Sequence, residues 1–139
     1  FGWHMIANAG DYSQTGWRVA EDARRFECGS PNMLGAHALD ASLTLFQELG
    51  MDTVEQALAE RVGYLDNALR EHGAELLSPS QPERRAGIVT FRLADQAPSD
   101  TRARLQAGGV VCAERGGGVR LSPHFYTDYS VMDRAVALL

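Results

Sequence analysis

The sequence predicts an α/β chain, more closely an α+β small domain, with a small mixed sheet and helices packed mainly on one face of it. Two apolar stripes of helical period come first, and short apolar segments of strand character then alternate with two further helical segments. The predicted order is therefore helix, helix, strand, strand, helix, strand, strand, helix.

Residues 1–27 stand apart, because they hold both tryptophans and show no sustained period. A segment of this length without secondary structure is unusual inside a complete domain. We expect it to pack against something outside this chain or to serve as an active-site loop.

The first helix is predicted to begin with Ser30 as its N-cap and Pro31 at the first helical position, and to end before Gly50. Its apolar residues at helical spacing are Leu39, Leu43, Phe46 and Leu49.

A second helix is predicted to begin at Thr53, with Gln56 completing a capping box, and to end at Gly73. Its apolar stripe consists of Val54, Leu58, Val62, Leu65 and Leu69.

Strands are predicted at residues 74–78, 87–93, 110–113 and 118–122. Ser99 should cap a helix reaching about Gln106, and a last helix should start near Asp128, with Met132, Ala135, Val136 and Leu139 on one face. The glycines at 116–118 predict a tight turn rather than a phosphate cradle, because such cradles lead from a strand into a helix.

The composition of the chain argues against several classes of function. The chain has 139 residues, 45% of them hydrophobic and 22% charged, with a net charge of -5. That charge argues against a nucleic-acid partner, and the apolar runs are too short for a membrane span. Cys28 and Cys112 form no disulfide framework and no signal-peptide pattern opens the chain, so we expect a cytoplasmic protein. The four histidines show no metal-ligand spacing with the cysteines, so no metal site is predicted.

The chain starts at Phe1 rather than Met and stops at Leu139 inside an apolar helical pattern, so we expect a piece of a longer protein. All thirteen basic residues are arginine. Chemistry that needs a lysine amine cannot run on this segment alone.

Five polar side chains are candidates for a site. Ser30 is either a plain helix cap or part of an anion site at a helix N-terminus. Arg120 faces away from its neighbours in the strand; it is either a solvated side chain or a bidentate clasp for a carboxylate. Arg115 has the same two interpretations. His124 suits a site or a turn, and Cys112 suits the core better than a nucleophilic role.

Three blocks in order resemble the C-terminal part of the class V aminotransferase family, which are fold-type I enzymes dependent on pyridoxal 5'-phosphate (PLP). They read "RRFECGSPNMLGAHALDASLTLFQELG", "RRAGIVTFRL" and "ERGGGVRLSPHFYTDYSVMDRAVALL". The family includes cysteine desulfurases, selenocysteine lyases, kynureninases and isopenicillin N epimerase-like proteins. The opening "FGW" also resembles the stretch that follows the cofactor lysine.

The resemblance implies a role for three residues. Ser30, in Gly-Ser-Pro, stands where the family has Gly-Thr-Pro, whose hydroxyl binds the PLP phosphate, often in the partner subunit of a homodimer. Arg120 corresponds to the arginine that grips the α-carboxylate of an amino-acid substrate, and Arg115 to a second arginine near it.

The resemblance also implies that the Schiff-base lysine lies upstream of this chain. Residues 1–49 would be the end of the PLP-binding large domain with the interdomain helix, and residues 50–139 the small domain.

Two departures from the family bear on the reaction. Thr127 and Asp128 stand where the family commonly has Asn-Thr, which touches a helix cap only. Only "AERGGGV" separates Cys112 from Arg120, so the long loop that carries the reactive cysteine of desulfurases is missing. We therefore expect transamination, lyase or epimerase chemistry before cysteine desulfurase or selenocysteine lyase activity. A free-standing, non-catalytic α/β module that binds a small ligand is the alternative from another class.

Overall fold

The structure, a computed structural model, describes residues 2–139 without the side chain of Pro82; Phe1 of the "FGW" stretch lies outside the described residues. The chain divides into two compact units, Phe1–Leu45 and Phe46–Leu139. The elements in chain order are α1 (Met33–Leu49), α2 (Met51–Glu71), β1 (Glu75–Leu76), β2 (Val89–Arg92), α3 (Pro98–Ala107), β3 (Ala113–Arg115), β4 (Gly118–Leu121) and α4 (Tyr129–Val136). This is the order that the sequence predicts.

The first unit has little regular structure before α1. It contains two 3-10 turns, Trp3–Met5 and Ala23–Phe26, and one isolated bridge between Ile6 and Val19. Ala20 is the one buried residue among those described in this unit. The lack of a sustained period in the sequence therefore corresponds to a lack of burial.

Helix α1 begins at Met33, so the predicted Ser30 cap and the predicted helical position of Pro31 are both wrong. The Asn32 Oδ1 atom accepts a hydrogen bond from the Gly35 backbone N–H at 2.9 Å and takes the cap role. Asparagine caps helices as well as serine does, and it stands two residues nearer the helical stripe. No residue of α1 is buried. Of its apolar stripe, Leu39, Leu43 and Leu49 are exposed, while Phe46 is half-buried and its ring contacts those of His124 and Phe125.

Helix α2 starts directly after Gly50, whose φ of 80° breaks the chain between the two helices. The predicted capping box of Thr53 and Gln56 is wrong because both residues already lie inside the helix. Gln56 instead donates through Nε2 to Glu60 Oε1 at 3.1 Å.

The predicted stripe of α2 forms one side of the core. Its buried members are Val54, Val62, Leu65 and Leu69, while Leu58 is partly buried. The helix ends at Glu71, and Gly73 follows with a φ of 87°, as the sequence predicts. The other side of the core comes from α3, α4 and one face of the sheet, through Val89, Phe91, Leu105, Val119, Leu121 and Met132.

The sheet has the order β1-β2-β4-β3, and every neighbouring pair is antiparallel. The expected mixed sheet is wrong in this respect. The hairpin after α3 returns β4 between β2 and β3, so the strands that run in the same direction never become neighbours. Helices do pack on one face, since the residues of β2 and β4 alternate between the core and the opposite face.

All four strands differ in their bounds from the predicted ones. β1 is two residues long rather than residues 74–78, β2 is shorter than residues 87–93 at both ends, and β4 ends one residue before 122. β3 shares only Ala113 with the predicted strand 110–113, because the turn that follows fixes its pairing from the other end. Ser99 does not cap α3, since Pro98 already occupies the first turn. Asp128 holds the N-cap position of α4 without a side-chain cap bond. No helix among residues 2–139 is both long and apolar enough to cross a membrane.

A hydrogen bond between Tyr64 and Asp133 ties α2 to α4, with an Oη to Oδ1 distance of 2.6 Å. This bond is the largest cause of a raised Tyr64 pKa, because Asp133 binds only the neutral phenol. A raised folded pKa adds stability below the unfolded value of about 10, and that stability is lost as the pH rises through the folded pKa.

We expect Tyr64→Phe to be less stable than the parent near neutral pH, and the difference to shrink as the pH rises above about 10. Urea unfolding of both proteins across this range measures it, with Tyr12→Phe, a tyrosine that is 83% exposed, as the control. A stability difference independent of pH would contradict this account of the bond.

Candidate functional site

The face of the sheet opposite the core, here the outer face, carries the candidate arginines. On β4, Val119 and Leu121 are buried in the core, so Arg120 between them points to the outer face as predicted. The register places Thr90 of β2 and Ala113 of β3 directly opposite Arg120, one on each side. Residues opposite each other in an antiparallel pair share a face.

Arg120 is half-buried and makes no hydrogen bond or ion pair with another described residue. Its guanidinium carries five N–H donors in a planar fork that suits a carboxylate. A partly desolvated cation whose donors are all free can bind an anion with them.

Arg92 shows the contrasting case on the same face. Its Nε and Nη2 atoms donate to the two carboxylate oxygens of Glu75 at 2.8 and 3.0 Å. These bonds raise the pKa of Arg92, so its charge is both held and neutralised. Arg92 is therefore satisfied within the fold, whereas Arg120 is not.

The glycine turn after Arg115 fixes the strand register that places this residue on the outer face. Gly116 and Gly117 have φ values of 59° and 79°, the pair of positive values that a two-residue type I′ turn requires. The turn pairs Arg115 with Gly118, which makes Arg115 a diagonal neighbour of Arg120 about 7–8 Å away. Among the described residues, the exposed Arg115 side chain donates to the Glu114 carbonyl alone, at 2.9 Å.

Gly118 is the third glycine and belongs to the strand rather than the turn. A Cβ atom there would collide with the Phe91 carbonyl oxygen and with Leu77. The triple glycine thus combines a tight turn with one close backbone approach, and the predicted turn is confirmed for its first two residues.

The segment after β4 is held at several points. The Ser122 hydroxyl donates to the Gly87 carbonyl at 3.0 Å. Thr127 closes a turn with His124, accepting from its N–H through Oγ1 at 2.8 Å and donating to its carbonyl at 2.9 Å. Arg61 of α2 then donates from Nε to the Thr127 carbonyl at 2.9 Å. Thr127 therefore secures a turn, although it departs from the family's pattern.

His124 packs among aromatic rings. Its ring stacks on Tyr126 with centroids 4.2 Å apart and lies 4.6 Å from Phe125. Its Nδ1 atom is buried and has no partner among the described residues. These contacts favour the packing interpretation of His124.

Ser30 lies in the first unit, in the irregular stretch before α1. It is exposed, and because Asn32 caps the helix its hydroxyl makes no hydrogen bond with a described residue. The sequence-based cap was wrong, but the hydroxyl is consequently free for a ligand.

Cys112 is partly buried against the core, in agreement with the core-thiol interpretation. Burial raises the pKa of its thiol and outweighs the opposite effect of Arg102. Such a thiol is a poor nucleophile. Among residues 2–139 no group of three or more metal-ligating side chains comes together.

Sequence reasoning missed two contacts between residues far apart in the chain. Strand alternation places Arg92 beside Thr90, yet nothing in a two-residue β1 predicts that Glu75 pairs with Arg92. Arg61 interrupts an exposed part of α2 and gives no local sign of a contact with Thr127, 66 residues later.

The family model "Aminotransferase class-V" matches residues 2–129, which is most of the chain. The chain belongs to the class V aminotransferase family, which confirms the resemblance seen in the sequence.

Individual relatives agree. The uncharacterized aminotransferase YcbU of Bacillus subtilis is 33% identical over 121 residues, which cover 84% of this chain and 31% of the relative. A probable cysteine desulfurase of Halalkalibacterium halodurans is 34% identical over 110 residues, covering 79% of this chain and 26% of the relative. The chain thus spans about a third or less of these relatives' length.

Solved structures share the fold. The apo cysteine desulfurase of Thermococcus onnurineus superposes with a TM-score of 0.81 at 24% identity, over 99% of this chain and 37% of that one. The cystine C-S lyase C-DES gives a TM-score of 0.76 at 25% identity, over 98% of this chain and 36% of that one. A C-DES variant has glycine covalently linked to its PLP cofactor.

Proposed function

We propose that this chain is the C-terminal segment of a PLP-dependent enzyme that transforms amino acids, and that Arg120 holds the substrate's α-carboxylate. The observation that carries this is the contrast on the outer face: Arg92 is neutralised by Glu75, while Arg120 is half-buried with its donors free. Arg115, on the same face, contributes a second positive charge near that carboxylate.

The donor set suits the cofactor as well as the substrate. Ser30 offers a free, exposed hydroxyl for the PLP phosphate. PLP, when bound, acts as the electron sink for the bonds of the amino acid's α-carbon. The residues of this chain bind and orient: Arg120 fixes the carboxylate and thereby the α-carbon, and the hairpin turn keeps Arg115 beside it.

The covalent link to the cofactor needs a lysine, and the chain has none. We place that lysine in the part of the protein outside these residues, so the segment alone is inactive. Residues 1–49 then form the end of the PLP-binding large domain with the interdomain helix, and residues 50–139 the small domain. We further propose a cytoplasmic homodimer, in which Ser30 contributes to the partner subunit's cofactor site.

Lyase, transamination or epimerase chemistry suits the segment better than desulfuration. The turn between β3 and β4 has two residues, which leaves no loop for a reactive cysteine before Arg120. Cys112 precedes β3 and has a raised pKa. Absorption spectra of the full-length protein, titrated with a panel of amino acids, test the proposal. A protein that retains PLP through dialysis and responds to α-amino acids supports it; a protein that binds no PLP contradicts it.

Ser30→Ala in the full-length protein should raise the Kd for PLP about tenfold, the effect expected for one lost hydrogen bond to a charged group. Ser30→Thr retains the hydroxyl and is the matched control. Equilibrium dialysis of the reconstituted apoenzyme gives both values. Equal PLP affinity in the parent and in Ser30→Ala would remove Ser30 from the cofactor site.

A further inference from the structure

The closest neighbour of Arg120 across the sheet is Thr90. The Thr90 carbonyl accepts from the N–H groups of Leu77 and Ser78, and its own N–H donates to Ser78 Oγ at 2.8 Å. Both backbone groups of Thr90 therefore point toward β1. In an antiparallel ladder this makes Thr90 and Arg120 a pair of the non-hydrogen-bonded kind, with Cα atoms about 4.5 Å apart and side chains closer than in the other kind.

The hydroxyl of the Thr90 side chain is not used in the hydrogen bonding of the described fold. Thr90 is half-buried on the outer face, and its hydroxyl makes no hydrogen bond with a described residue. The other hydroxyl that flanks Arg120, on Ser122, is already donated to the Gly87 carbonyl. Thr90 thus provides the one uncommitted hydroxyl of the two beside Arg120.

The two residues directly opposite Arg120 have small side chains, Thr90 on β2 and Ala113 on β3. Gly118 lies two positions before Arg120 on the same face, but the Leu77 side chain covers it. A ligand on Arg120 therefore has small side chains on both sides at the level of Thr90 and Ala113. A carboxylate can accept about four hydrogen bonds, and a bidentate guanidinium supplies two of them.

We propose that Thr90 is a second contact for the substrate's α-carboxylate, with its hydroxyl donating to an oxygen of the group that Arg120 holds. The inference rests on the proposed function, since it assumes that Arg120 binds a carboxylate. It adds a residue on β2 to a site otherwise built from the β3–β4 hairpin. A hydroxyl donor stabilises a carboxylate more than a neutral group, so Thr90 adds selectivity for amino acids over amines.

The test uses the full-length protein loaded with PLP and two small probes, glycine and methylamine, which differ by the carboxylate alone. Titrations followed by the absorption of the bound cofactor give an apparent Kd for each probe. Thr90→Val removes the hydroxyl and keeps the β-branched shape suited to a strand, and Thr90→Ser keeps the hydroxyl. Thr90→Ala repeats the deletion without the added methyl, and thermal melting reports whether each variant is folded.

We expect Thr90→Val and Thr90→Ala to raise the apparent Kd for glycine about tenfold, with little change for methylamine and in the melting temperature. Thr90→Ser should stay within about twofold of the parent for both probes. A glycine Kd that is unchanged in both deletions, or a Kd that rises equally for both probes, would overturn the role of Thr90.

Arg120→Gln separates this inference from the proposal beneath it. If Arg120→Gln weakens glycine binding and the Thr90 variants do not, Arg120 binds the carboxylate and Thr90 does not contact it. If Arg120→Gln also leaves glycine binding unchanged, or if the parent responds to neither probe, the proposed function fails and the role of Thr90 fails with it.

Discussion

Arg120→Ala in the full-length enzyme is expected to lower kcat/KM for α-amino acid substrates about 30- to 5,000-fold, the kinetic equivalent of the roughly 2–5 kcal/mol lost when one partner of a buried, hydrogen-bonded charge pair is removed. Arg120 has no carboxylate partner within residues 2–139, so its loss exposes no unpaired acid and should disturb the fold little. Steady-state kinetics on the best substrate of the amino-acid panel measure the effect.

Two further variants sharpen that experiment. Arg120→Lys keeps the charge but loses the planar fork, so its kcat/KM should also fall well below the parent's. Arg70→Ala removes an exposed arginine from the last turn of α2 and should leave the kinetics unchanged. Parent-like kcat/KM in Arg120→Ala would show that the α-carboxylate is bound elsewhere.

Phe91→Ala should be the most damaging single change to the fold, with a loss of about 3–5 kcal/mol in the free energy of unfolding. Phe91 is fully buried in the middle of β2, where the sheet meets the helices of the core. The truncation removes the largest fully buried side chain among the described residues and leaves a cavity that the paired strands on both sides cannot close.

Hydrogen exchange of the β2 and β4 amides in the full-length protein reports this loss locally, without requiring the whole protein to unfold in one step. Phe91→Leu is the matched control, because a large apolar side chain still fills most of the space and should cost less than Phe91→Ala. Exchange rates in Phe91→Ala equal to those of the parent would contradict the placement of Phe91 at the centre of the core.

The sequence was informative where side-chain burial has a period. The stripe of α2 and the alternation in β2 and β4 predicted which residues enter the core, since each pattern reflects one face of one element. The starts of α1 and α2 were predicted poorly, whereas α4 begins after Asp128 as expected. At α1, both Ser30 and Asn32 have a side chain able to accept the capping hydrogen bond, and Asn32 is the observed cap.

At the candidate site, too, local sequence patterns predicted some features, and others depended on how the strands pair. That Arg120 faces away from the core follows from local alternation. The carboxylate ligand proposed for Arg120 came from the resemblance to the class V aminotransferase family and not from the strand alternation. What pairs across strands could not be read locally, because register depends on residues far apart in the chain. The ion pair of Arg92 with Glu75, the closeness of Thr90 to Arg120 and the diagonal position of Arg115 all emerged only with the sheet.

We propose that this chain completes a PLP enzyme whose cofactor lysine lies outside its 139 residues. Borohydride reduction of the full-length protein, followed by peptide mapping, tests this most directly, because reduction fixes PLP to the amine that carries it. We expect a single PLP-modified lysine, in a peptide outside this chain. The same lysine should be unmodified when PLP is removed before the reduction. A reduced protein without any PLP-modified peptide would contradict the claim.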